Sequence, residues 1–202
     1  NVKKQNIDLL SLSAHKFHGP RGIGVLYARR GMELRSLMEG GGQERGKRPG
    51  TENVPAIMGM AAALKEECVL MEENTRKISA MRDRLIQGLS KIPHCILNGP
   101  AGNRLPGNVN FCFEGVSGES LLLLLDSKGI CASSGSACAS GALDPSHVLL
   151  ALGRSPEIAQ GSLRLSLDAS NTEEEVDYML EVIPQVVEHL RRMSADWQEK
   201  VK

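Results

Sequence analysis

The alternation of hydrophobic and polar positions along the chain predicts short strands interspersed with helices. The segments IDLLSLS, 7–13, and IGVLYAR, 23–29, are rich in apolar residues and are flanked by glycine and proline, which is typical of short strands. Two further segments, 108–115 and 162–168, alternate apolar and polar residues in the manner of strands. No repeat of fixed period occurs. An α/β or α+β chain is therefore expected.

Helical spacing of apolar residues predicts two helices between the second and third strands. Asn53 is suited to cap the first, which carries Pro55 in its first turn and apolar residues at helical spacing as far as Met71. The second is expected from Ile78 to Leu89 and ends near Pro93. These helices would connect the strand pair to the rest of the chain.

The C-terminal part of the chain has the clearest helix signal. Thr172 and Glu175 form the pattern of a capping box, and an apolar stripe follows, with Pro184 expected to kink the helix. The stripe consists of Val176, Met179, Leu180, Ile183, Val187 and Leu190. Shorter helices are predicted over 117–129 and 148–152.

Composition adds constraints on charge, membranes and redox state. The 202 residues balance 24 basic against 24 acidic side chains, so no global charge attracts nucleic acid or a membrane surface. The longest apolar run, Leu121 to Leu125, is far shorter than the roughly 20 residues that span a bilayer, and the first ten residues lack the apolar core of a secretory signal. Five widely spaced cysteines without a C-x-x-C pair favour free thiols and argue against structural zinc.

A lysine stands at the end of the first predicted strand. Lys16 follows Leu10, Leu12 and small residues, so we expect its amine to lie in a low-dielectric cleft that lowers the lysine pKa. A neutral amine can form a Schiff base with an aldehyde, which is how pyridoxal phosphate is held in its enzymes. Ser13 and His15 offer a hydroxyl and a ring N–H to a phosphate. A surface lysine beside a structural histidine is the alternative.

The segment EGGGQERGKRPGTEN, residues 39–53, is rich in glycine and basic residues. Glycine lets backbone N–H groups close on an anion and Thr51 adds a hydroxyl, so the segment is suited to a phosphate. The glycines and Lys47 nearly match a nucleotide-binding P-loop, yet Arg48 stands where a magnesium-binding serine or threonine belongs. A cofactor phosphate is therefore preferred to ATP, with a flexible glycine turn as the alternative.

A cysteine lies in a segment of small residues, SSGSACASG. The serines, glycines and alanines around Cys138 predict a mobile loop with little to pack. An exposed thiol on such a loop is suited to chemistry at one place and delivery at another. A linker with an incidental thiol is the alternative.

An arginine interrupts the last predicted strand, SLRLSLD. Leu163, Leu165 and Leu167 share one face of this strand, which leaves Arg164 on the opposite face. A guanidinium group so placed can hold a carboxylate through two parallel hydrogen bonds. A structural ion pair is the alternative.

Four motifs in this order resemble those of the group I cysteine desulfurases, the NifS/IscS type: SAHK, GGGQERGKRPGTEN, SSGSACAS and SLRLSLDASNTEEEVDY. The resemblance extends over nearly the whole chain. It implies an α/β fold, the C-terminal part of a fold type I pyridoxal phosphate-dependent transferase. Enzymes of this type work as homodimers and convert L-cysteine to L-alanine, leaving a persulfide on their own cysteine.

The resemblance assigns cofactor contacts residue by residue. Lys16 matches the Schiff-base lysine, and Ser13 and His15 match contacts to the pyridoxal phosphate group. Thr51 matches the residue that reaches the phosphate of the neighbouring subunit. The half that precedes the lysine in the family supplies the aspartate at the pyridine nitrogen and a ring-stacking histidine, and no residue of this chain is assigned those roles.

The resemblance also assigns the sulfur chemistry. Arg164 matches the arginine that grips the substrate carboxylate, and Cys138 matches the nucleophile that takes the sulfur. In some relatives this cysteine transiently binds a nascent iron–sulfur cluster, which makes Cys138 a candidate metal ligand. A cytoplasmic protein is expected, passing sulfur to an acceptor such as an iron–sulfur scaffold protein. A selenocysteine lyase and a non-catalytic sulfur-accepting or regulatory protein are the alternatives.

The same resemblance implies a domain organisation. Residues 1–60 correspond to the end of the large cofactor-binding domain and 61–91 to connecting helices. Residues 92–202 correspond to a small α+β C-terminal domain, with a mobile cysteine loop at 133–142.

Overall fold

The computed structural model describes residues 1–135 and 145–200. The chain divides into two compact units, Asn1–Glu72 and Glu73–Lys202, called here the N-terminal unit and the C-terminal unit. The boundary falls inside one long helix, so this helix contributes residues to both units.

The N-terminal unit contains a two-stranded antiparallel sheet. Strand β1, Leu9–Ser13, pairs with strand β2, Gly24–Ala28, so that Ser13 lies opposite Gly24. A 3-10 helix, Ala14–Phe17, begins where β1 ends. Both strands were predicted, and each is slightly shorter than its apolar run.

A glycine-rich segment and a long helix complete the N-terminal unit. The segment contains a single turn, α1, Gln43–Gly46. Helix α2, Val54–Leu89, then runs for 36 residues, with Asn53 Oδ1 accepting a hydrogen bond from the Ala56 N–H at 3.2 Å as the predicted cap requires. Two separate helices were predicted here, which is wrong. The residues between them, EENTRK, contain neither glycine nor proline to end the first helix.

The C-terminal unit is built on a three-stranded antiparallel sheet. Its strands are β3, Cys95–Leu97, β4, Asn108–Phe113, and β5, Ser162–Ser166. Their order in the sheet is β3-β4-β5, so β4 lies at the centre. The predicted strands at 108–115 and 162–168 are confirmed.

Besides the end of α2, the described residues of the C-terminal unit form five helices. They are α3, Gly118–Ser127, α4, His147–Ala151, α5, Pro156–Gln160, α6, Glu173–Met193, and α7, Ala195–Lys200. Helix α6 begins with the predicted capping box: the Glu175 N–H donates to Thr172 Oγ1 at 3.3 Å, and the Thr172 N–H donates to a Glu175 carboxylate oxygen at 3.2 Å. Pro184 lies inside this helix, which continues to Met193.

The core of the C-terminal unit lies on one face of the sheet. Alternate residues of β4, Val109, Phe111 and Phe113, are fully buried there, as are Leu163 and Leu165 of β5. They pack with apolar residues of α3, α6 and the end of α2. The opposite face carries a smaller buried cluster of Cys112, Leu149 and Ala159. Among the described residues no helix is both long and apolar enough to span a membrane.

Candidate functional site

The predicted lysine lies on a tight turn at the end of β1. Ala14, the first residue of the 3-10 helix, is fully buried, and its carbonyl accepts a hydrogen bond from the Gly19 N–H at 2.9 Å. A Cβ at Gly19 would lie 2.8 Å from the Ala14 Cβ, so only glycine allows this close approach. The turn thereby presents Ser13, His15 and Lys16 within four consecutive positions.

These three side chains are exposed. Within the described part of the chain, neither the Ser13 hydroxyl nor the Lys16 amine has a hydrogen-bond or ion-pair partner. The expected low-dielectric cleft around Lys16 is therefore not formed by the described residues. The reason is that Leu10 and Leu12 are only half-buried in a two-stranded sheet, so they do not cover the amine.

The chemistry of this turn fits pyridoxal phosphate. Lys16 offers a primary amine, with no carboxylate paired to it among the described residues, that can bond covalently to an aldehyde. Ser13 and His15 offer a hydroxyl and an imidazole to a phosphate. These three side chains thus offer groups suited to the aldehyde and to the phosphate of the cofactor.

The glycine-rich segment does not form a nucleotide-binding P-loop. Such a loop joins a strand directly to a helix that begins at the motif lysine. Here α2 does not begin until Val54, well beyond Lys47. The intervening chain contains the left-handed residues Glu44, with φ 48°, and Arg45, with φ 58°, and it leaves Thr51 exposed. The preference for a cofactor phosphate over ATP agrees with this geometry.

Arg164 lies in β5 on the face opposite the main core. Its neighbours Leu163 and Leu165 are buried in that core, as the alternation predicted. Among the described residues, the buried Nε of Arg164 has no hydrogen-bond partner. The ion pairs formed by the described residues do not include Arg164, so the structural ion pair considered from the sequence is not found there. A buried guanidinium nitrogen without a partner is suited to binding an anion.

The first residues of the predicted cysteine loop, 133–142, are attached to β5. Ser133 and Arg164 exchange both main-chain hydrogen bonds, with the Ser133 N–H donating to the Arg164 carbonyl at 3.1 Å. The Ser162 hydroxyl donates to the Ser134 carbonyl. Cys138 and most of the predicted loop 133–142 lie outside the described residues.

A polar cluster on the same sheet face was missed from the sequence. Asn98, which is buried, donates from Nδ2 to Asn110 Oδ1 at 2.7 Å and to the Cys112 Sγ at 3.1 Å. Arg154 Nε donates to Asn98 Oδ1 at 2.9 Å. Burial raises the pKa of the Cys112 thiol, and the hydrogen bond from Asn98 offsets part of the rise. The alternation of NVNFCF indicates that Asn110 faces away from the core, but its pairing with Arg164 is known only from the strand register.

Among the described residues, no group of three or more histidine, cysteine or acidic side chains is placed to hold a metal ion. The candidate metal ligand, Cys138, is not among those residues.

Comparison with known proteins places the chain in a family. Residues 1–179 match the aminotransferase class-V family. The chain belongs to this family. Its members, like the cysteine desulfurases similar to this chain, depend on pyridoxal phosphate, in agreement with the cofactor predicted from the Lys16 turn.

The curated relatives that are similar to the chain include cysteine desulfurases named IscS. The one from Clostridium botulinum is 54% identical over 205 residues, covering 100% of this chain and 52% of its own length. The one from Methanosarcina thermophila is 56% identical over 194 residues, covering 96% of this chain and 48% of its own length. The chain thus spans about half the length of the curated relatives it matches, and the resemblance to the NifS/IscS type is confirmed.

Solved structures agree on the fold. A NifS-like protein matches with a TM-score of 0.83 and 39% identity, covering 94% of this chain and 48% of its own. A NifS-like protein from Rickettsia africae matches with a TM-score of 0.83 and 30% identity, covering 93% of this chain and 49% of its own. The predicted fold class, mixed α/β as in part of a fold type I pyridoxal phosphate enzyme, is confirmed.

Proposed function

We propose that this chain acts in a pyridoxal phosphate-dependent cysteine desulfurase that converts L-cysteine to L-alanine and leaves a persulfide on Cys138. The observation that carries the proposal is the 54% identity to a cysteine desulfurase IscS over the whole chain. The side chains of the Lys16 turn and the Nε of Arg164, which has no partner among the described residues, support it. They offer the amine, phosphate contacts and carboxylate contact that the reaction needs.

The chain's own residues divide the binding tasks. Lys16 would hold the cofactor through its side-chain amine, and the same amine would transfer protons as a general base and acid. Ser13 and His15 bind the cofactor phosphate, and Arg164 binds the substrate carboxylate with its guanidinium group. The bound cofactor supplies an electron sink for bond breaking next to the substrate's α-carbon.

The transfer of sulfur to Cys138 needs no oxidant or reductant besides the enzyme and L-cysteine. The thiolate of Cys138 attacks the substrate sulfur, so that an S–S bond forms while the substrate C–S bond breaks. The electron pair of the C–S bond remains with the substrate carbon, which takes up a proton and becomes the methyl group of L-alanine. The products are L-alanine and the Cys138 persulfide. The sulfur of that persulfide is then available to an acceptor.

We also propose a location, an oligomeric state and a sulfur acceptor for the enzyme. We place the enzyme in the cytoplasm as a homodimer in which Thr51 reaches the cofactor phosphate of the other subunit. The domain limits 1–60, 61–91 and 92–202 follow the family pattern, and the observed boundary after Glu72 falls within the connecting segment. The acceptor is a sulfur carrier such as an iron–sulfur scaffold protein, and Cys138 is a transient cluster ligand during transfer.

A paired cysteine experiment tests the proposal. Cys138→Ser in the cofactor-loaded enzyme is expected to abolish persulfide formation while cofactor binding remains, because the nucleophile is lost and the cofactor contacts are not. Cys131→Ser is the matched control, since Cys131 is an exposed thiol seven positions earlier, 138 − 131 = 7. Alanine release and persulfide mass are measured for both variants.

The outcomes of this experiment support or refute the role of Cys138. Loss of persulfide in the Cys138 variant with retention in the Cys131 variant supports the assignment. Sulfur transfer retained by Cys138→Ser would refute it. Turnover of selenocysteine with no turnover of L-cysteine by the unmodified enzyme would replace the desulfurase with a selenocysteine lyase.

A further inference from the structure

The sheet face that carries Arg164 also carries a second side chain directly opposite it. In the antiparallel pairing of β4 and β5, Asn110 is the cross-strand partner of Arg164. Both side chains lie on the face away from the main core, because their neighbours Val109, Phe111, Leu163 and Leu165 are buried in that core. Side chains paired in this way have Cβ atoms about 4.5–5.5 Å apart, within reach of a shared small ligand.

Hydrogen bonds determine which way the Asn110 amide points. Arg154 can only donate, so the Asn98 atom that it contacts at 2.9 Å is the oxygen. Asn98 Nδ2 therefore faces β4, and the Asn110 atom that accepts its hydrogen bond at 2.7 Å is also an oxygen. It follows that the Asn110 Nδ2 group points away from Asn98.

Two hydrogen-bond donors on this sheet face, one of Asn110 and one of Arg164, lack acceptors among the described residues. Within the described residues, nothing accepts a hydrogen bond from Asn110 Nδ2, and the buried Nε of Arg164 also lacks a partner. No carboxylate of the described residues pairs with Arg164. An amide donor beside a guanidinium donor, with neither satisfied internally, is suited to a ligand that supplies only acceptor oxygens.

We propose that Asn110 donates a hydrogen bond from Nδ2 to the substrate carboxylate bound by Arg164. Arg154 and Asn98 act as positioning residues, since together they hold the Asn110 oxygen away from the anion and its N–H groups toward it. Asn110 thus contributes to the choice of an amino acid over an amine without a carboxylate. The inference rests on the proposed function, because that function supplies the carboxylate.

The test compares ligands that differ only in the carboxylate. Binding of L-alanine, the product, and of L-alaninol, in which an alcohol replaces the carboxylate, is measured calorimetrically on the cofactor-loaded enzyme. Asn110→Leu is expected to lower the preference for L-alanine about 10- to 100-fold, because a hydrogen bond to a charged group is lost. Its KM for L-cysteine should rise with kcat little changed, as for a contact made equally in ground and transition states.

A second variant and a matched control keep the test decisive. Asn110→Asp has almost the same shape but places a carboxylate opposite Arg164, so it should weaken L-alanine binding more than Asn110→Leu does. Asn108→Leu is the control, since Asn108 lies on the same strand and face, opposite Ser166. It should keep the preference of the unmodified enzyme. Circular dichroism checks that all variants fold.

The outcomes separate this inference from the proposed function. An unchanged ligand preference in folded Asn110→Leu, or an equal loss in Asn108→Leu, overturns the role of Asn110. An unmodified enzyme that binds L-alanine through its carboxylate but releases no sulfur from L-cysteine contradicts the proposed function, while the ligand comparison still decides the role of Asn110.

Discussion

The two units of the chain differ in what they bury. The main core lies entirely between Met81 and Val187, in the C-terminal unit, and its central strand β4 contributes Val109, Phe111 and Phe113. In the N-terminal unit the buried hydrophobic residues are Ala14 and Ala56. Larger apolar side chains there are exposed, among them Leu9, Leu26, Val54, Met58, Val69 and Met71.

This difference separates two ways of placing functional groups. Arg164 and Asn110 lie on strands whose other face is packed into a core, so their backbones are held in place by apolar burial. The Lys16 turn is shaped locally, by the buried Ala14 and the close approach of Gly19, on a sheet with little burial behind it. The C-terminal unit should therefore supply most of the chain's own folding free energy.

The largest effect is expected from the centre of the core. Phe111→Ala should lower the free energy of unfolding by about 3–5 kcal/mol, because it removes a fully buried ring and leaves a cavity. Urea denaturation followed by circular dichroism measures this. A loss below about 1 kcal/mol would mean that the core does not stabilise the C-terminal unit as described.

A buried arginine is expected to have the next largest effect. Arg191 donates to the carbonyls of Pro93, His94 and Glu114 at 2.8–3.0 Å, and its guanidinium carbon lies 4.6 Å from the Trp197 ring centre. Arg191→Met should cost about 2–3 kcal/mol, since a buried guanidinium loses three part-buried hydrogen bonds to carbonyls.

The adjacent arginine provides the control for this variant. Arg192 is exposed and pairs with Glu188 on the helix surface, so Arg192→Met should cost about 0.5 kcal/mol or less. Equal losses in the two variants would show that the carbonyl contacts of Arg191 are not stabilising.

The capping box of α6 is expected to contribute less. Thr172→Ala should cost about 1 kcal/mol, measured by urea denaturation at neutral pH, because the Glu175 N–H loses its acceptor. A cost indistinguishable from zero would contradict the capping geometry.

The same cap predicts a pH dependence of stability. Hydrogen bonds from the Asn171 side chain and the Thr172 backbone lower the pKa of Glu175. A depressed carboxyl pKa stabilises the fold above the ordinary glutamate pKa, and this contribution disappears as the pH falls through the lowered value. Glu175→Gln should therefore reduce the loss of stability on acidification, and an unchanged acid dependence would contradict this.

The smallest effect is expected in the N-terminal unit. Leu26 lies in β2 and is 54% exposed, so Leu26→Ala should change the free energy of unfolding by no more than about 0.5 kcal/mol in this 202-residue chain. Urea denaturation provides the value. A loss of unfolding free energy close to that of Phe111→Ala would show that apolar side chains stabilise the two units to a similar extent.

Local patterns predicted much of this fold. Alternation located β1, β2, β4 and β5, and the capping box located the start of α6, because each depends on neighbouring residues. The exposure of Lys16 was not predictable, since it depends on what packs over Leu10 and Leu12 in space. The Asn98 cluster was missed for a similar reason. The pairing of distant strands decides which residues meet, and the spacing along one strand does not reveal that register.

We propose that Lys16 attaches the cofactor and that Arg164 binds the substrate carboxylate. A comparison of two variants tests this division of roles most directly. Cofactor-loaded enzymes carrying Lys16→Ala or Arg164→Ala are treated with borohydride, and covalently attached cofactor is measured by peptide mass. L-cysteine binding is titrated in parallel. The account predicts no attached cofactor in the Lys16 variant, and normal attachment with at least about 10-fold weaker L-cysteine binding in the Arg164 variant. Attachment at another lysine, or unchanged L-cysteine binding without Arg164, would contradict it.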